Sequence, residues 1–443
     1  MINMFSFTWL CVLVSLVNIS YGQYEIPPVT LEAYRPRGFR ASIKADNLTE
    51  LFAFHGKLNE KINQIEPGEF GEDVRSPVDG YFTYYNPNME LKINDEVHYW
   101  VFVQHKKLGY RRDAQVWKVT ELRNSPGTEC EPSVTVISDR TKVCRNMTIF
   151  EDQFGGSSID ISKWIIEQYV PGPPDYEFVV YRPYENVTLV NDGNLVVIPH
   201  LASDKDIEAD PLDLTDGCTK TYTKDEPCLH KKYKLQNPVV SGRLVSKQSF
   251  TYADVEVNAK LPSGDWLYPE IYLEDDNQNR LVIAYARGNK LLTGNDNINI
   301  GGSLLFGGPM LSHREPKRSE KLSSTRIESG TFSDSFHTYR LRWSEHAIEL
   351  YVDGKNYGLI SSESIKSSGF VGSSPKQVRL VLGVGVGGIN DFPNGYKSGI
   401  DEKPWINRNS QQVKTFYENV NHWFPTWGSG GRLQVNYVKV TAL

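Results

Sequence analysis

Short runs of β-branched and aromatic residues, separated by turn residues, recur along almost the whole chain of 443 residues. Turn signals such as Glu66-Pro67-Gly68 and Asn86-Pro87-Asn88 separate several of these runs. Regular short strands within about a hundred residues predict a β-sandwich of immunoglobulin type. Between residues 24 and 121 the predicted strands are Val29–Tyr34, Phe39–Ile43, Leu51–Phe54, Tyr81–Tyr85, Val97–Val103 and Val116–Val119.

The remainder of the chain continues the pattern over a longer stretch. Gly193–Ile198 and Leu433–Val440 are strand-like, few segments have a helical period, and a short helix is expected near 405–420. About 310 residues of this kind predict one large two-sheet sandwich. The chain is therefore expected to be all-β, with a module at 23–122, a polar linker at 123–129 and a second domain at 130–443.

The amino terminus is typical of a secretory signal peptide. Residues 1–22 carry no charged side chain, Phe5–Val17 is apolar, and Ser20-Tyr21-Gly22 offers small residues for cleavage. We expect removal of residues 1–22 and an extracellular product. A membrane anchor is the alternative, but the stretch is short for a span, and no later apolar run is long enough to cross a bilayer.

Four cysteines remain after the predicted cleavage, an even number that favours two disulfides in a secreted chain. Proximity favours Cys130–Cys144 and Cys218–Cys228, although three connectivities are open. The zinc alternative lacks a Cys-x-x-Cys pair. Glycosylation sequons begin at Asn47, Asn146 and Asn186.

Charge and motifs exclude several classes of function. A net charge of −6 argues against binding to nucleic acid. Gly383–Gly388 matches the spacing of a dinucleotide site, but a turn follows where a helix is required. Asn295-Asp296-Asn297 is better explained as a loop than as a calcium site. We expect no cofactor and no metal.

Several motifs in the second block resemble those of family 16 glycoside hydrolases of the laminarinase-like branch. They are Phe150–Phe154, Ile161–Trp164, Leu261–Tyr272, Ala286–Asn289, Phe336–Trp343 and Val352–Gly354. The chain as a whole resembles the invertebrate β-1,3-glucan recognition proteins, also called Gram-negative-bacteria-binding proteins. This resemblance implies a concanavalin-like jelly roll for the second domain.

The strand ahead of Arg287-Gly288-Asn289 departs from the pattern of the active enzymes. Those enzymes carry two Glu and one Asp there, and the two Glu carboxyls flank the glycosidic bond about 5–5.5 Å apart in a retaining mechanism. In this chain Arg280, Val282 and Tyr285 stand in the three positions. Arginine is always cationic and tyrosine is a poor acid at neutral pH, so we expect no hydrolase activity. Glu274, Asp275 and Asp276 are expected in a solvated turn.

Aromatic residues of the second block are candidates for stacking on sugars in a cleft, with core packing as the alternative for each. Trp266 and Trp427 are the main candidates, beside Tyr268, Trp405 and Trp423.

The first block resembles the amino-terminal glucan-binding module of the same group, carbohydrate-binding module family 39. The matching stretches are Leu51–Glu60, His98–Val101 and Leu108–Arg111. The resemblance implies glucan contacts at Asp73, Trp100 and Arg111, with Tyr110 beside them. A Trp face accepts sugar C–H groups, while carboxylate and guanidinium hydrogen-bond hydroxyls. Core packing of Trp100 and an ordinary turn at Asp73 are the alternatives, and His55 is interpreted as structural.

The resemblance implies a pattern-recognition protein of hemolymph that binds β-1,3-glucan and microbial cell-wall polysaccharide. It also implies partner serine proteases of an immune cascade, with prophenoloxidase and Toll signalling downstream. An active endo-β-1,3-glucanase and an adhesion protein that binds no carbohydrate are the alternatives.

Overall fold

The computed structural model describes residues 24–63, 66–78, 80–124, 131–138, 142–220, 227–232, 234–368, 370 and 376–443. The predicted signal peptide, Cys130 and most of the predicted linker lie outside these residues. The chain divides into two compact units at residue 129. Unit 1 denotes the residues up to Glu129, and unit 2 denotes Cys130–Leu443.

Unit 1 consists of two four-stranded sheets, ordered β5-β2-β1-β8 and β4-β3-β6-β7. All neighbouring strands are antiparallel except β1 and β8. Their inward side chains, among them Phe39, Phe54 and Val101, form one core. The strands are β1 (Thr30–Arg35), β2 (Phe39–Lys44), β3 (Thr49–Leu58), β4 (Phe70–Val74), β5 (Tyr81–Asn86), β6 (Glu96–His105), β7 (Leu108–Lys118) and β8 (Arg123–Asn124).

Each predicted run of unit 1 overlaps a strand, and the all-β prediction is confirmed. The predicted run Val116–Val119 covers only the last part of the eleven-residue strand β7. Strand β4 was not predicted. It reads Phe-Gly-Glu-Asp-Val and lies at a sheet edge with three exposed residues, so it has no apolar alternation to reveal it.

Unit 2 is built around a nine-stranded and an eight-stranded sheet, with smaller sheets beside them. The long strands β20, β22, β23 and β30 lie in the first sheet, and β21, β27 and β33 lie in the second. Their inward side chains form one continuous core. This is the expected two-sheet sandwich.

The strands of unit 2 are β9 (Pro132–Ile137), β10 (Lys142–Cys144), β11 (Thr148–Asp152), β12 (Trp164–Ile166), β13 (Val179–Tyr181), β14 (Thr188–Asn191), β15 (Asn194–Val197), β16 (His200–Leu201), β17 (Leu212–Asp213), β18 (Leu229–His230), β19 (Val239–Ser241), β20 (Arg243–Thr251), β21 (Ala253–Lys260), β22 (Leu267–Glu274), β23 (Arg280–Tyr285), β24 (Leu292–Thr293), β25 (Leu304–Met310), β26 (Ser323–Arg326), β27 (His337–Trp343), β28 (Ala347–Val352), β29 (Lys355–Ser361), β30 (Val378–Val386), β31 (Lys397–Ser398), β32 (Asp401–Glu402) and β33 (Leu433–Thr441).

Helices are short. Helix α2 (Gln412–Glu418) falls in the region where a helix was expected, after α1 (Asp204–Glu208) and before α3 (Val420–Trp423). Three 3-10 helices span Ser362–Ser368, Phe424–Thr426 and Gly428–Gly430. No helix in the described part of the chain is long and apolar enough for a membrane span.

A disulfide joins Cys218 to Cys228, the connectivity that proximity favours. The other expected pair involves Cys130, which lies outside the described residues. The sequon residues Asn47, Asn146 and Asn186 are all exposed, so glycosylation of these side chains stays a prediction that the fold allows.

Candidate functional site

The solvent-facing side of the β4-β3-β6-β7 sheet carries the residues predicted to bind glucan. Along β6, burial alternates strictly, so Val97, Tyr99 and Val101 face the core while Trp100 and Phe102 face outward. We call this solvent-facing side the outer face.

Four side chains form a row across the outer face, one from each strand. His55 is the β3 partner of Trp100, and their rings stack with centroids 4.3 Å apart and planes within 16°. The guanidinium carbon of Arg111, on β7, lies 4.2 Å from the Trp100 ring centre. On β4, Asp73 Oδ1 lies 3.6 Å from His55 Nε2. We call Asp73, His55, Trp100 and Arg111 the outer row.

Both faces of the Trp100 indole are covered. His55 and Arg111 come from the two strands that flank β6, so they cover opposite faces. The indole N–H donates to the Glu66 carbonyl at 2.8 Å. A sugar can therefore stack on a face of Trp100 only if His55 or Arg111 moves, and the predicted contact between the Trp face and sugar C–H groups stays a prediction. Trp100 is half-buried and presents a ring edge between a cation and an imidazole.

His55 has a defined tautomer in the outer row. Its Nδ1 lies 2.8 Å from the Pro67 carbonyl, which only accepts, so Nδ1 carries the hydrogen. Nε2 is then left facing the Asp73 carboxylate, whose side chain is 52% exposed. The interpretation of His55 as a structural residue fits its bond to Pro67. Its place between Asp73 and Trp100 in the outer row was not predicted from the sequence.

A bulge in β7 orients Arg111. Tyr99 pairs with Gln115 and Val101 pairs with Arg112, so two residues, Asp113 and Ala114, oppose the single residue Trp100. Ala114 has the positive φ of 53° that such a bulge requires. Asp113 then accepts a hydrogen bond from Arg111 Nε at 2.5 Å. Among the described residues, no hydrogen-bond acceptor pairs with the terminal nitrogens of Arg111.

Tyr110 does not belong to the outer row. Its β6 partner is Val103, a core residue, and the Tyr110 ring packs against the core and lies 4.8 Å from the ring of Tyr24. Neighbouring residues of a strand point to opposite faces, so Tyr110 and Arg111 cannot share one. The prediction that Tyr110 contacts glucan beside them is corrected.

Strand β23, on which the resemblance to family 16 places the three catalytic positions, is buried. Arg280, Val282 and Tyr285 are all less than 9% exposed. Pairing of β23 with β25 is irregular between Val282 and Tyr285. Arg280 makes ion pairs with Asp175 at 2.6 Å and with Glu274 at 2.9 Å, and its guanidinium carbon lies 4.4 Å from the Tyr272 ring centre.

A second buried arginine completes an ion network with Arg280. Arg243 pairs with Glu274 at 2.6 Å, with Glu270 at 3.6 Å and with Glu167. Burial alone would raise the pKa of Glu274, but the two guanidinium groups outweigh it and hold that pKa at about 2. Asp175 is likewise held at a pKa of about 2, against burial, by Arg318 and Arg280. The name buried ion network is used below for Glu167, Asp175, Arg243, Glu270, Glu274, Arg280 and Arg318.

The expectation of a solvated turn at residues 274–276 is wrong for two of its three carboxylates. Glu274 ends β22 with a side chain only 10% exposed, because Arg243 and Arg280 draw it inward. Asp275 is buried and accepts the backbone N–H groups of Asn277 and Asn279. Asp276 alone is exposed.

The candidate cleft tryptophans are core residues. Trp266 is 2% exposed and packs edge-on against Phe392 and Trp405. Trp427 is 4% exposed, and its indole N–H donates to the Asp265 carbonyl. Tyr268, Trp405 and Trp423 are equally buried. The core alternative holds for all five, because each ring packs on at least one other buried aromatic ring.

Across the described residues, no three His, Cys, Asp or Glu side chains are grouped to hold an ion. Asp296 accepts the backbone N–H of Ile298, as expected of a loop.

Two family models match the chain. The model CBM39, described as a carbohydrate-binding domain (family 32), matches residues 25–132. The model described as glycosyl hydrolases family 16 matches residues 310–398.

Relatives match over almost their full length. A β-1,3-glucan-binding protein of Hyphantria cunea is 35% identical over 98% of this chain and 98% of its own. β-1,3-Glucan-binding protein 1 of Galleria mellonella is 33% identical over 95% and 96%. Gram-negative bacteria-binding protein 1 of Drosophila melanogaster is 30% identical over 96% and 98%.

Among solved structures, the catalytic domain of a laminarinase from Thermotoga petrophila is similar with a TM-score of 0.45 and 18% identity, covering 67% of this chain and 97% of its own. The endo-β-1,3-glucanase of Pyrococcus furiosus is similar with a TM-score of 0.44 and 20% identity, covering 69% and 96%.

Proposed function

The chain belongs to the family of β-1,3-glucan-binding and Gram-negative bacteria-binding proteins, and we propose that it is a secreted pattern-recognition protein for microbial β-1,3-glucan. The observation that carries this proposal is the outer row of unit 1. The relatives of nearly full length are named for binding glucan or bacteria. The residues matched by the carbohydrate-binding model include the entire outer row.

The chemistry of the outer row fits a polyhydroxylated chain. Asp73 accepts hydrogen bonds, while the free terminal nitrogens of Arg111 donate them, so the two ends of the row match hydroxyls of both kinds. His55 and Trp100 hold an apolar edge between those ends. Because the row crosses all four strands, it can contact more than one sugar or chain at once, which favours repetitive polymers.

Co-sedimentation with insoluble β-1,3-glucan, with cellulose in parallel, tests the site. We expect Trp100→Ala to lose binding, because His55 and Arg111 then lose the ring that aligns them. Asp73→Ala and Arg111→Ala should each weaken binding by roughly 10-fold, the value of a hydrogen bond to a charged group. Tyr81→Ala is the matched control, since Tyr81 is an exposed aromatic on strand β5 of the other sheet.

The outcomes separate the competing interpretations. Binding that survives Trp100→Ala would place the glucan site elsewhere. Equal pelleting with cellulose would contradict the proposed specificity for β-1,3 linkages. No pelleting by the unmodified protein would favour the adhesion-protein alternative.

We propose further that unit 2 does not hydrolyse glucan. Arg280 stands in the nucleophile position, and the carboxylates nearest to it, Asp175 and Glu274, are committed to ion pairs. Tyr285 stands in the acid/base position, and burial raises its pKa well above the ordinary value of a tyrosine. Release of reducing ends from laminarin should equal the buffer blank. Activity that Glu274→Gln abolishes would instead favour the endo-β-1,3-glucanase alternative.

Secretion and the domain boundaries complete the proposal. Residues 1–22 are cleaved, 23–122 form the glucan-binding module, 123–129 link it to the silent domain at 130–443, and serine proteases of a prophenoloxidase or Toll cascade are the downstream partners. Amino-terminal sequencing of the product from insect cells should begin at Gln23. An intact Met1 would contradict secretion by this route.

A further inference from the structure

Unit 2 contains a cavity of about 620 Å³ at the end of β23. Tyr285 and Phe306 form part of its wall. Three arginines and two carboxylates bring charge to it, namely Arg287, Arg318, Arg408, Asp391 and the exposed Glu315, whose Oε2 accepts from Ser319. Cavities of roughly 300–1,000 Å³ with aromatic walls and a few convergent polar groups are typical of sites for small ligands. The buried ion network lies behind this cavity, because Arg318 pairs with Asp175 at 2.6 Å.

Asp391 supplies an acceptor that no protein group satisfies. Its side chain belongs to a residue only 6% exposed, and Oδ2 is buried without a hydrogen-bond partner among the described residues. Buried polar atoms in folded proteins are almost always paired, so an orphaned carboxylate oxygen at a cavity wall indicates a donor from outside the chain. A ligand hydroxyl is such a donor.

Arg287 supplies a cation that attracts the Asp391 carboxylate but forms no ion pair within the described part of the chain. Its Nε donates to the Asp391 carbonyl at 2.5 Å, and its guanidinium carbon lies 5.4 and 5.5 Å from the ring centres of Tyr285 and Phe306. Within the described part of the chain, no carboxylate oxygen lies within 4.0 Å of it or of Arg408, which lines the same cavity. These two groups are therefore available to an anion.

We propose that this cavity binds an anionic monosaccharide unit, bearing a carboxylate or a phosphate. Arg287 and Arg408 would contact the anion, and the orphaned oxygen of Asp391 would accept a hydroxyl of the ring. Tyr285 and Phe306 would cover the C–H face of the sugar. A neutral glucose unit would leave both guanidinium groups without an anionic partner, so the site prefers acidic sugars. This inference goes beyond the glucan binding proposed for unit 1 and does not depend on it.

Calorimetric titration of the full chain with three monosaccharides tests the proposal. Methyl β-D-glucuronide carries a carboxylate, glucose 6-phosphate carries a phosphate, and methyl β-D-glucoside is the neutral control. We expect at least one anionic sugar to bind about 10-fold or more tightly than the glucoside, as a charge-assisted bond to arginine implies. The tighter of the two anionic sugars shows whether the site prefers a carboxylate or a phosphate.

Variants assign the binding to the cavity. Arg287→Gln should reduce the preference for the anion to about 3-fold, the part that Arg408 supplies. Asp391→Asn should weaken the neutral sugar by roughly 10-fold and the anionic sugar by less, because a like charge is removed together with the acceptor. Arg342→Gln is the matched control, an exposed arginine on β27. Because Arg287 packs on two rings, its loss could unfold the site. Arg408→Gln, at an exposed residue, should therefore lower the preference by about 3-fold without changing the melting temperature.

Three results would overturn the proposal. They are equal affinities for the glucoside and both anions, no measurable binding of any of the three, and a preference that is undiminished in both arginine variants. None of these bears on glucan binding by unit 1, since co-sedimentation of the Trp100→Ala variant tests that separately.

Discussion

Unit 1 and unit 2 each place an arginine over an aromatic ring beside carboxylates, but in opposite environments. The guanidinium carbon of Arg111 lies 4.2 Å from the Trp100 ring centre and that of Arg280 lies 4.4 Å from the Tyr272 ring centre. The Arg111 side chain is 30% exposed and that of Arg280 is 9% exposed. The same contacts therefore leave hydrogen-bonding groups partly open to solvent in unit 1 and bury them against one another in unit 2.

The largest effect that tests this comparison is expected on stability. Arg243→Met should lower the free energy of unfolding by about 3–5 kcal/mol, because Glu167 and Glu274 would lose a buried partner. Arg111→Met should cost at most about 1 kcal/mol, since its ion pair with Asp113 is partly exposed. Urea unfolding of both variants measures the difference. Similar losses would show that burial does not distinguish the two arginines.

Acid should weaken unit 2 through the same network. The folded pKa values of Asp175 and Glu274 are about 2, below the ordinary values of 3.8 and 4.5. Groups whose folded pKa is lowered stabilise the fold above their unfolded pKa, and this stability is lost as the pH falls from about 4.5 towards 2. At about 1.4 kcal/mol for each pKa unit, Asp175 contributes on the order of 2 kcal/mol and Glu274 on the order of 3 kcal/mol.

Calorimetric scans between pH 2 and pH 5 measure this loss. An Asp175→Asn variant is the control, and its melting temperature should fall less steeply with acid over the same range, since one of the two titrating carboxylates is gone. Identical slopes in the variant and the unmodified protein would assign the acid sensitivity to other groups.

Local sequence patterns predict the outer face well and the interior of unit 2 poorly. Alternation along β6 is enough to turn Trp100 away from the core. The same alternation in β7 places the neighbours Tyr110 and Arg111 on opposite faces, which the sequence prediction overlooked. The stacking of His55 on Trp100 depends on the register between β3 and β6, which no local pattern specifies.

The buried ion network could not be predicted from the sequence for a different reason. Glu274 is followed directly by Asp-Asp-Asn, so the local composition indicates a solvated turn. Its partner Arg243 is 31 positions away, and Asp175 is 105 positions from Arg280. The sheet order β20-β30-β22-β23 brings Arg243, Glu274 and Arg280 together, whereas Asp175 reaches Arg280 from a turn outside these strands.

The smallest expected effect concerns two glycines that flank the outer row. A Cβ at Gly109 would meet the outer edge of the Phe102 ring at 2.6 Å, whereas a Cβ at Gly71 would meet the Phe54 carbonyl oxygen at 2.4 Å and His55 Nδ1 at 2.6 Å. A ring can rotate away, but the backbone of β3 cannot. Gly109→Ala should therefore change the free energy of unfolding by less than about 1 kcal/mol, and Gly71→Ala should lower it by about 1–3 kcal/mol.

Glucan co-sedimentation of these two variants tests whether binding depends on the outer row beside Gly71 or on the surface around Gly109. Gly71→Ala displaces His55, which aligns Trp100, so binding should weaken several-fold together with stability. Gly109→Ala moves only Phe102, so its binding should stay within about 2-fold of the unmodified protein, a free-energy difference of about 0.4 kcal/mol. If Gly109→Ala were the more damaging change, the binding surface would have to centre on Phe102, and the outer row would be its border.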